Sequence, residues 1–181
     1  CDPISAFGGI VSCNFKIKKN LASELNKLFL EVIVANGFEK SALKLLKKKK
    51  NLRLIDATNC SFNEKWKFIS SNKELLVQTE DLKKFNNKDF KIVSKRKPNP
   101  KQMKDLIFAF NICRYVKSNA IVLAVNGTTT GIGSGQPSRL DSCQIAIDKM
   151  KKFTHIKDEV VAASDAFFPF VDGIEKLVQS G

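Results

Sequence analysis

Residues 119–142 read NAIVLAVNGTTTGIGSGQPSRLDS, and this stretch decides the fold class. It begins with a continuous apolar run, as expected of a strand inside a covered sheet. TTTGIG is predicted to pair with that run as a hairpin, and a helix is predicted over 138–150. Four glycines fall within nine residues, which raises the question of what must approach the backbone so closely there.

Helical and strand patterns alternate along the rest of the chain. Helices are predicted over 20–30, 39–50 and 101–118 and from Asp172, and strands over 31–38, 52–58, 74–81, 90–95 and 159–163. Residues 58–72 are polar and expected to be irregular, with Trp66 and Phe68 covering the core. The alternation predicts an α/β layered fold. A polar break near 95–100 predicts two halves, 1–97 and 98–181.

The composition describes a globular chain with a strong positive charge. Its 181 residues carry 31 Lys and Arg against 18 Asp and Glu, a net charge of +13. Such a balance is found in nucleic-acid-binding proteins. Nearly all these cations are lysines, however, which share A/T-rich codons with the abundant asparagines, so solvated lysines are the favoured interpretation. We expect small anionic ligands, no nucleic acid and, because no apolar run approaches the roughly 20 residues of a membrane helix, no membrane partner.

Cysteine and histidine are too scattered to form a zinc site. The five cysteines contain no CxxC pair, and His155 is the single histidine. A zinc site needs clustered ligands, so no metal site is predicted. The odd number of cysteines without a secretory signal predicts free thiols in the cytoplasm. The abrupt start at Cys1 suggests a piece of a longer chain.

The glycine-rich loop leads into a helix start that suits an anion. Ser138 and Asp141 form an approximate capping box, and the free N–H groups of a helix start attract negative charge. Arg139 lies in the same first turn. GIGSGQ matches neither the dinucleotide fingerprint nor the Walker loop. On shape alone, a structural turn and a phosphate cradle are equally well supported.

Two further stretches add candidate ligand-binding residues. KSNAIVLA places Ser118 and Asn119 at the mouth of the central strand, where ligands of open α/β sheets bind. SDAFFPFVDG, residues 164–173, carries three phenylalanines between two acids. Those phenylalanines fit either a core or a platform for a flat heterocycle.

Four motifs together resemble the aminoimidazole carboxamide ribonucleotide (AICAR) transformylase family. They are DPISAFGG, KSNAIVLAVNG, GIGSGQPSR and SDAFFPFVDGIE, and the similarity runs through the whole chain. The resemblance implies a cytidine-deaminase-like fold of α/β/α layers, duplicated and without zinc. It also implies an enzyme that transfers a formyl group from 10-formyltetrahydrofolate to the 5-amino group of AICAR in purine biosynthesis.

The same resemblance assigns individual residues. AICAR-contacting positions match Gly8, Glu31, Asn119, Arg139 and Phe167, of which Asn119 is the catalytic candidate, and folate-contacting positions match Leu140 and Asp172. A Lys-His pair that transfers protons in the family would lie upstream of this chain. His155 does not match the family histidine.

The resemblance also implies a homodimer and, in some relatives, potassium near Ser118 and Asp165. Ala120 replaces a matching hydroxyl, so potassium is left open. Val125, Pro137 and Val171 depart from the usual family residues. Two alternatives remain open at this point: a basic nucleic-acid-binding module and a non-catalytic scaffold on the same fold.

Overall fold

A computed structural model describes residues 5–60, 66–153 and 158–181. The chain forms two compact units, one ending at Asp81 and one running from Leu82 to Gly181. Both contain helices and strands, which confirms the predicted α/β class. Segments 1–4, 61–65 and 154–157 lie outside the described residues. The first three residues of the DPISAFGG motif fall there, and so does His155.

The first unit is built around a parallel sheet. Its elements are β1 (Phe7–Cys13), α1 (Lys19–Lys27), β2 (Phe29–Ala35), α2 (Lys40–Leu46) and β3 (Arg53–Asp56), followed by β4 (Trp66–Ser71) and β5 (Glu74–Thr79). The sheet order is β1-β2-β3, with parallel neighbours. Ile17, Ile33 and Leu46 are fully buried in the core of this unit. The two helices serve as the crossovers that parallel strands require.

Helix α1 is shorter than its sequence pattern predicts. The apolar spacing predicted a helix over 20–30, but the helix ends at Lys27. Phe29 pairs with Phe7, and Leu30 pairs with Gly9, as the first residues of β2. These two residues therefore form a strand although their apolar spacing fits a helix, because pairing with β1 satisfies their N–H and C=O groups.

The prediction of an irregular segment over 58–72 is wrong where the structure describes its second half. Residues Trp66–Ser71 form β4, which pairs with β5 in an antiparallel hairpin. The predicted covering role of Trp66 and Phe68 is also wrong, since their side chains are 55% and 61% exposed. Alternating large side chains favour a strand, and this alternation outweighed the polar composition.

Residues 90–95 do not form the predicted strand. Phe90 instead packs edge-on against Phe110, with ring centroids 5.3 Å apart, and Phe85 does the same at 5.0 Å. Asn111 also bonds both backbone groups of Phe85. These contacts tie the segment after Leu82 to the second unit, so the boundary between the units precedes the break placed at 97/98. The assignment of the halves to two subdomains of the family stays a prediction.

The second unit is a three-stranded sheet with helices on both faces. Its elements are α3 (Pro100–Cys113), β6 (Ile121–Val125), β7 (Thr128–Gly133), α4 (Arg139–Phe153), β8 (Val161–Ser164) and α5 (Asp172–Gln179). The order is β7-β6-β8, with antiparallel neighbours. Every residue of β6 is buried. The predicted buried strand, hairpin and two following helices are confirmed.

The two faces of this sheet have separate cores. Val122 and Ala124 pack with Ala109 of α3 on one face. Ile121 and Leu123 pack with residues of α4 on the other, among them the fully buried Ala146. Successive β6 side chains point to opposite faces. An uninterrupted apolar run is therefore what a strand between two helical layers requires.

Candidate functional site

Arg139 lies where the start of α4, the start of β6 and the end of β8 meet. Its Nη1 donates to Asp165 Oδ1 at 2.5 Å and to Ser164 Oγ at 2.7 Å. Its Nη2 donates to Asn119 Oδ1 at 2.8 Å. The Arg139 and Asp165 side chains are each 14% exposed. The stretches GIGSGQPSR and SDAFFPF therefore meet at one end of the sheet.

Asn119 joins this arginine to the loop after β7. Its Nδ2 donates to the carbonyl oxygens of Gln136 at 2.8 Å and Pro137 at 2.9 Å, while its Oδ1 accepts from Arg139. The Asn119 backbone N–H also donates to Gln136 O at 3.2 Å. Both ends of the amide are thus engaged within the protein. The catalytic role of Asn119 stays a prediction. Its hydrogen bonds also give it a structural role, which is to link Arg139 to the loop after β7.

Asp165 holds the network together from the end of β8. Its carboxylate accepts from Ser118 Oγ, from the Ala120 N–H at 3.1 Å and from Arg139. Burial alone would raise the pKa of Asp165. The hydrogen bonds from Ser118, Arg139 and Ala120, with the arginine charge, outweigh burial and hold that pKa below its ordinary value.

The two residues named with potassium, Ser118 and Asp165, lie in contact. Ser118 Oγ and Asp165 Oδ2 meet, but they supply only two oxygens, and Ala120 offers no hydroxyl. Oxygen-ligated cations of comparable demand take about six or more ligands. Among the described residues, no group of three His, Cys, Asp or Glu side chains is placed to hold a metal.

The glycines of TTTGIG have a packing role, which answers the question they raised. A Cβ on Gly131 would overlap the carbonyl oxygen of Ala146, and a Cβ on Gly133 would overlap that of Ser142. Both oxygens belong to α4, so these glycines let the helix pack directly onto β7. This packing explains Gly131 and Gly133, while a cradle for an anion at the loop that follows stays a prediction. Gly135, in the loop itself, has a φ of +69° that favours glycine.

The remaining predicted residues of this unit, Phe167, Leu140 and Asp172, differ in exposure. Phe167 is 79% exposed, whereas the neighbouring Phe168 ring lies 5.9 Å from the Arg139 guanidinium carbon. Leu140 is half-buried in the first turn of α4. Asp172 begins α5, where its Oδ1 accepts from the Gly173 N–H at 2.7 Å.

Gly8 and Glu31 come together within the first unit. Gly8 has a φ of +68°, and a Cβ on it would lie 3.0 Å from Glu31 Oε1. The flanking Phe7 and Phe29 rings stack at 4.4 Å. The carboxylate therefore lies beside a backbone position whose positive φ favours glycine. An exposed aromatic pair lies beside it, as a site for a flat polar ligand would require.

Comparison with known proteins decides the family. The model of the family described as AICARFT/IMPCHase bienzyme matches residues 1–149. The chain belongs to the AICARFT/IMPCHase bienzyme family. This membership confirms the resemblance carried by the four motifs.

Individual AICARFT/IMPCHase relatives are similar along the whole chain. Proteins named bifunctional purine biosynthesis protein PurH from Aquifex aeolicus and Fusobacterium nucleatum are each 43% identical over 180 residues, or 99% of this chain. The protein of that name from Clostridium botulinum is 43% identical over 189 residues. The chain spans about 35% of the length of the first two relatives.

Three residues of the network around Arg139, namely Ser142, Ser164 and Asp165, were not predicted as parts of a site. Ser142 is fully buried, and its Oγ donates to Asn119 O at 2.8 Å. Asp165 was noted as an acid of SDAFFPFVDG and beside potassium, but its contact with Arg139 was not predicted. The one available signal was the rarity of arginine in this lysine-rich chain, since a buried guanidinium needs an acidic partner.

Proposed function

We propose that the protein carrying this chain transfers the formyl group of 10-formyltetrahydrofolate to the 5-amino group of AICAR, in purine biosynthesis. The observation that carries the proposal is the meeting of three motifs at Arg139, which contacts Asn119, Ser164 and Asp165. The family model and the PurH relatives support the same reaction, since one of the family's two named activities is abbreviated AICARFT.

The chemistry fits a site built on positioning and charge. The AICAR amine is a poor nucleophile because its lone pair is delocalised into the imidazole and the carboxamide. Catalysis must therefore come from alignment of the reactants and from stabilisation of the tetrahedral oxyanion. Three bonds use three of the five guanidinium donors of Arg139. The two donors that remain suit a carboxamide or another polar group of AICAR.

Further parts of the proposal concern the rest of the AICAR and folate sites. Gly8, Glu31 and Phe167 would contact AICAR, and Leu140 and Asp172 would contact the folate. We propose that the fold is deaminase-like and duplicated, without zinc. We also propose that the full-length protein is a cytoplasmic homodimer, and none of the described helices is long and apolar enough to cross a bilayer.

The isolated 181-residue chain should not catalyse the transfer. The family's proton-transferring Lys-His pair is expected upstream of it, and general acid–base groups typically contribute about 10² to 10⁴ in rate. Robust turnover by the purified chain would show that the catalytic residues have been misplaced.

The test uses Arg139→Ala in the full-length protein, with Arg96→Ala as the control. Arg96 lies in the same unit but is exposed, with Glu159 as its partner. We expect Arg139→Ala to weaken AICAR binding in calorimetry and to lower formyl transfer, and Arg96→Ala to change neither.

The same preparations distinguish other readings of the family. Cyclisation of added formyl-AICAR should be unaffected by Arg139→Ala, because the cyclohydrolase activity is expected in a separate domain. Loss of cyclisation alone would assign this chain to that second activity. Steep salt-dependent binding of nucleic acid, with no AICAR binding, would favour the basic binding module instead.

A further inference from the structure

The guanidinium of Arg139 is held from two sides by three side chains, two of which, Ser164 and Asp165, have no assigned role in the reaction. On Nη1 the partners are Asp165 and Ser164, and on Nη2 the partner is Asn119. Bonds at both nitrogens fix the guanidinium plane as well as its position. Because Arg139 and Asp165 are both largely buried, the plane cannot rotate without leaving a buried charge unpaired.

Asp165 is itself fixed by groups that do not move with the arginine. Ser118 Oγ and the Ala120 N–H, both at the start of β6, donate to its carboxylate. The Asp165 backbone N–H donates to Ala120 O at 3.3 Å. The carboxylate is therefore anchored to the start of the central strand, and it links that strand to Arg139.

We propose that Asp165 is the positioning residue of the AICAR site: it orients Arg139 so that the remaining donors, Nε and one Nη2 hydrogen, meet the substrate. The inference rests on the proposed function, because it concerns the same site. Asp165 acts through Arg139 and does not itself touch AICAR. Ser164 is its helper, since the Ser164 Oγ accepts from Nη1 while donating to Ala166 O at 2.8 Å.

A second buried aspartate, Asp105, allows an effect on substrate positioning to be told apart from an effect on stability alone. Asp105 of α3 accepts from the backbone N–H groups of Asn126 and Gly127 at 2.9 and 2.8 Å. It is 4% exposed and bonds backbone of the same sheet, but it has no contact with Arg139 among the described hydrogen bonds. Asp105→Asn is thus a matched control for the loss of a buried carboxylate charge.

The experiment is a double-mutant cycle on AICAR affinity in the full-length protein, measured by calorimetry together with the melting temperature. Asp165→Asn should weaken AICAR binding about tenfold or more, as expected for disturbing a hydrogen bond to a charged group. In the Arg139→Lys background, the same substitution should change the AICAR affinity by less than about twofold, because lysine has no guanidinium for Asp165 to orient. Asp105→Asn should lower the melting temperature and leave the affinity unchanged.

The outcomes separate this inference from the function on which it rests. Equal losses from Asp165→Asn with Arg139 and with Lys at position 139 would overturn the inference, as would a lower melting temperature with unchanged affinity. If Arg139→Lys leaves AICAR affinity unchanged, the proposed site fails and the inference falls with it. Should Asp165→Asn not fold, Ser164→Ala provides the same cycle with a smaller expected loss, and additivity there would equally overturn the inference.

Discussion

Gly133 of β7 packs directly against Ser142 of α4, so closely that any Cβ at the glycine would overlap the serine carbonyl oxygen. The Ser142 side chain in turn donates to the backbone oxygen of Asn119. The close packing of α4 on β7 is thus linked to the candidate site by the buried hydroxyl of Ser142.

We expect Gly133→Ala to destabilise the protein by about 1–3 kcal/mol or more, because overpacking forces the helix away from the strand. Gly127→Ala is the control. Gly127, unlike Gly133, has a positive φ, but nothing lies within 4 Å of its added Cβ, so Gly127→Ala should cost only the backbone strain of about 1–2 kcal/mol. Urea unfolding of both variants checks this. An equal or smaller loss at Gly133 would contradict the packing role.

Asn119→Ala should affect both stability and activity. It removes three side-chain hydrogen bonds, so the free energy of unfolding should fall by about 1–3 kcal/mol. Formyl transfer in the full-length protein should fall by about 10² or more if the amide also serves the transition state.

Asn111→Ala is the matched control for this prediction. Its amide also makes three bonds, to Phe85 N, Phe85 O and Ile107 O, and none of them involves Arg139. The Asn111→Ala protein should lose a similar amount of stability while keeping its rate of formyl transfer. If the two variants lose stability equally and both stay active, Asn119 is only a clamp for the loop.

The lowered pKa of Asp165 predicts an acid-dependent loss of stability. In the unfolded chain the pKa of an aspartate is about 3.9. Well above that pH the Asp165 carboxyl is ionised in both the folded and the unfolded state, so its stabilising effect is complete at neutral pH. As pH falls below about 4 towards the lower folded pKa, the unfolded state binds the proton first and the stabilisation is lost. The gap in unfolding free energy between the wild type and Asp165→Asn should therefore shrink on acidification. A constant or widening gap would contradict the assignment.

The cysteines should differ sharply in reactivity. Burial, with the nearby negative charge of Asp165, raises the pKa of Cys113 to about 12, and burial also raises the pKa of Cys143. Cys60 is exposed. Because the thiolate is the reactive form, iodoacetamide at pH 8 should modify Cys60 in the native protein and reach the other two only after denaturation. Peptide mass spectrometry checks this, and early labelling of Cys113 would refute its burial.

Local patterns predicted the second unit well because its burial pattern is simple. β6 lies between two helical layers, and a strand covered on both faces is apolar throughout. The same reasoning failed at Phe29 and Leu30, where pairing with β1 was decided by residues about twenty positions earlier. It failed again at Phe90, whose packing against Phe110 depends on a distant helix.

The candidate site was predictable only one residue at a time. Arg139 stood out as a rare arginine at a helix start, but its contact with Asp165 depends on where β8 ends relative to α4. No spacing along the chain carries that information. The glycines were ambiguous for a related reason, since a close approach by a helix and one by a ligand leave the same pattern of small residues.

Asp105 has one more consequence, for the order in which the molecule opens. The tip of a hairpin usually frays first, so its amide hydrogens exchange with solvent early. Here the amides of Asn126 and Gly127 are fastened to a buried carboxylate on α3. Their exchange should wait until that helix separates from the sheet. The tip would then belong to the slowest-exchanging part of its unit, and the hairpin and α3 would open as a single cooperative element.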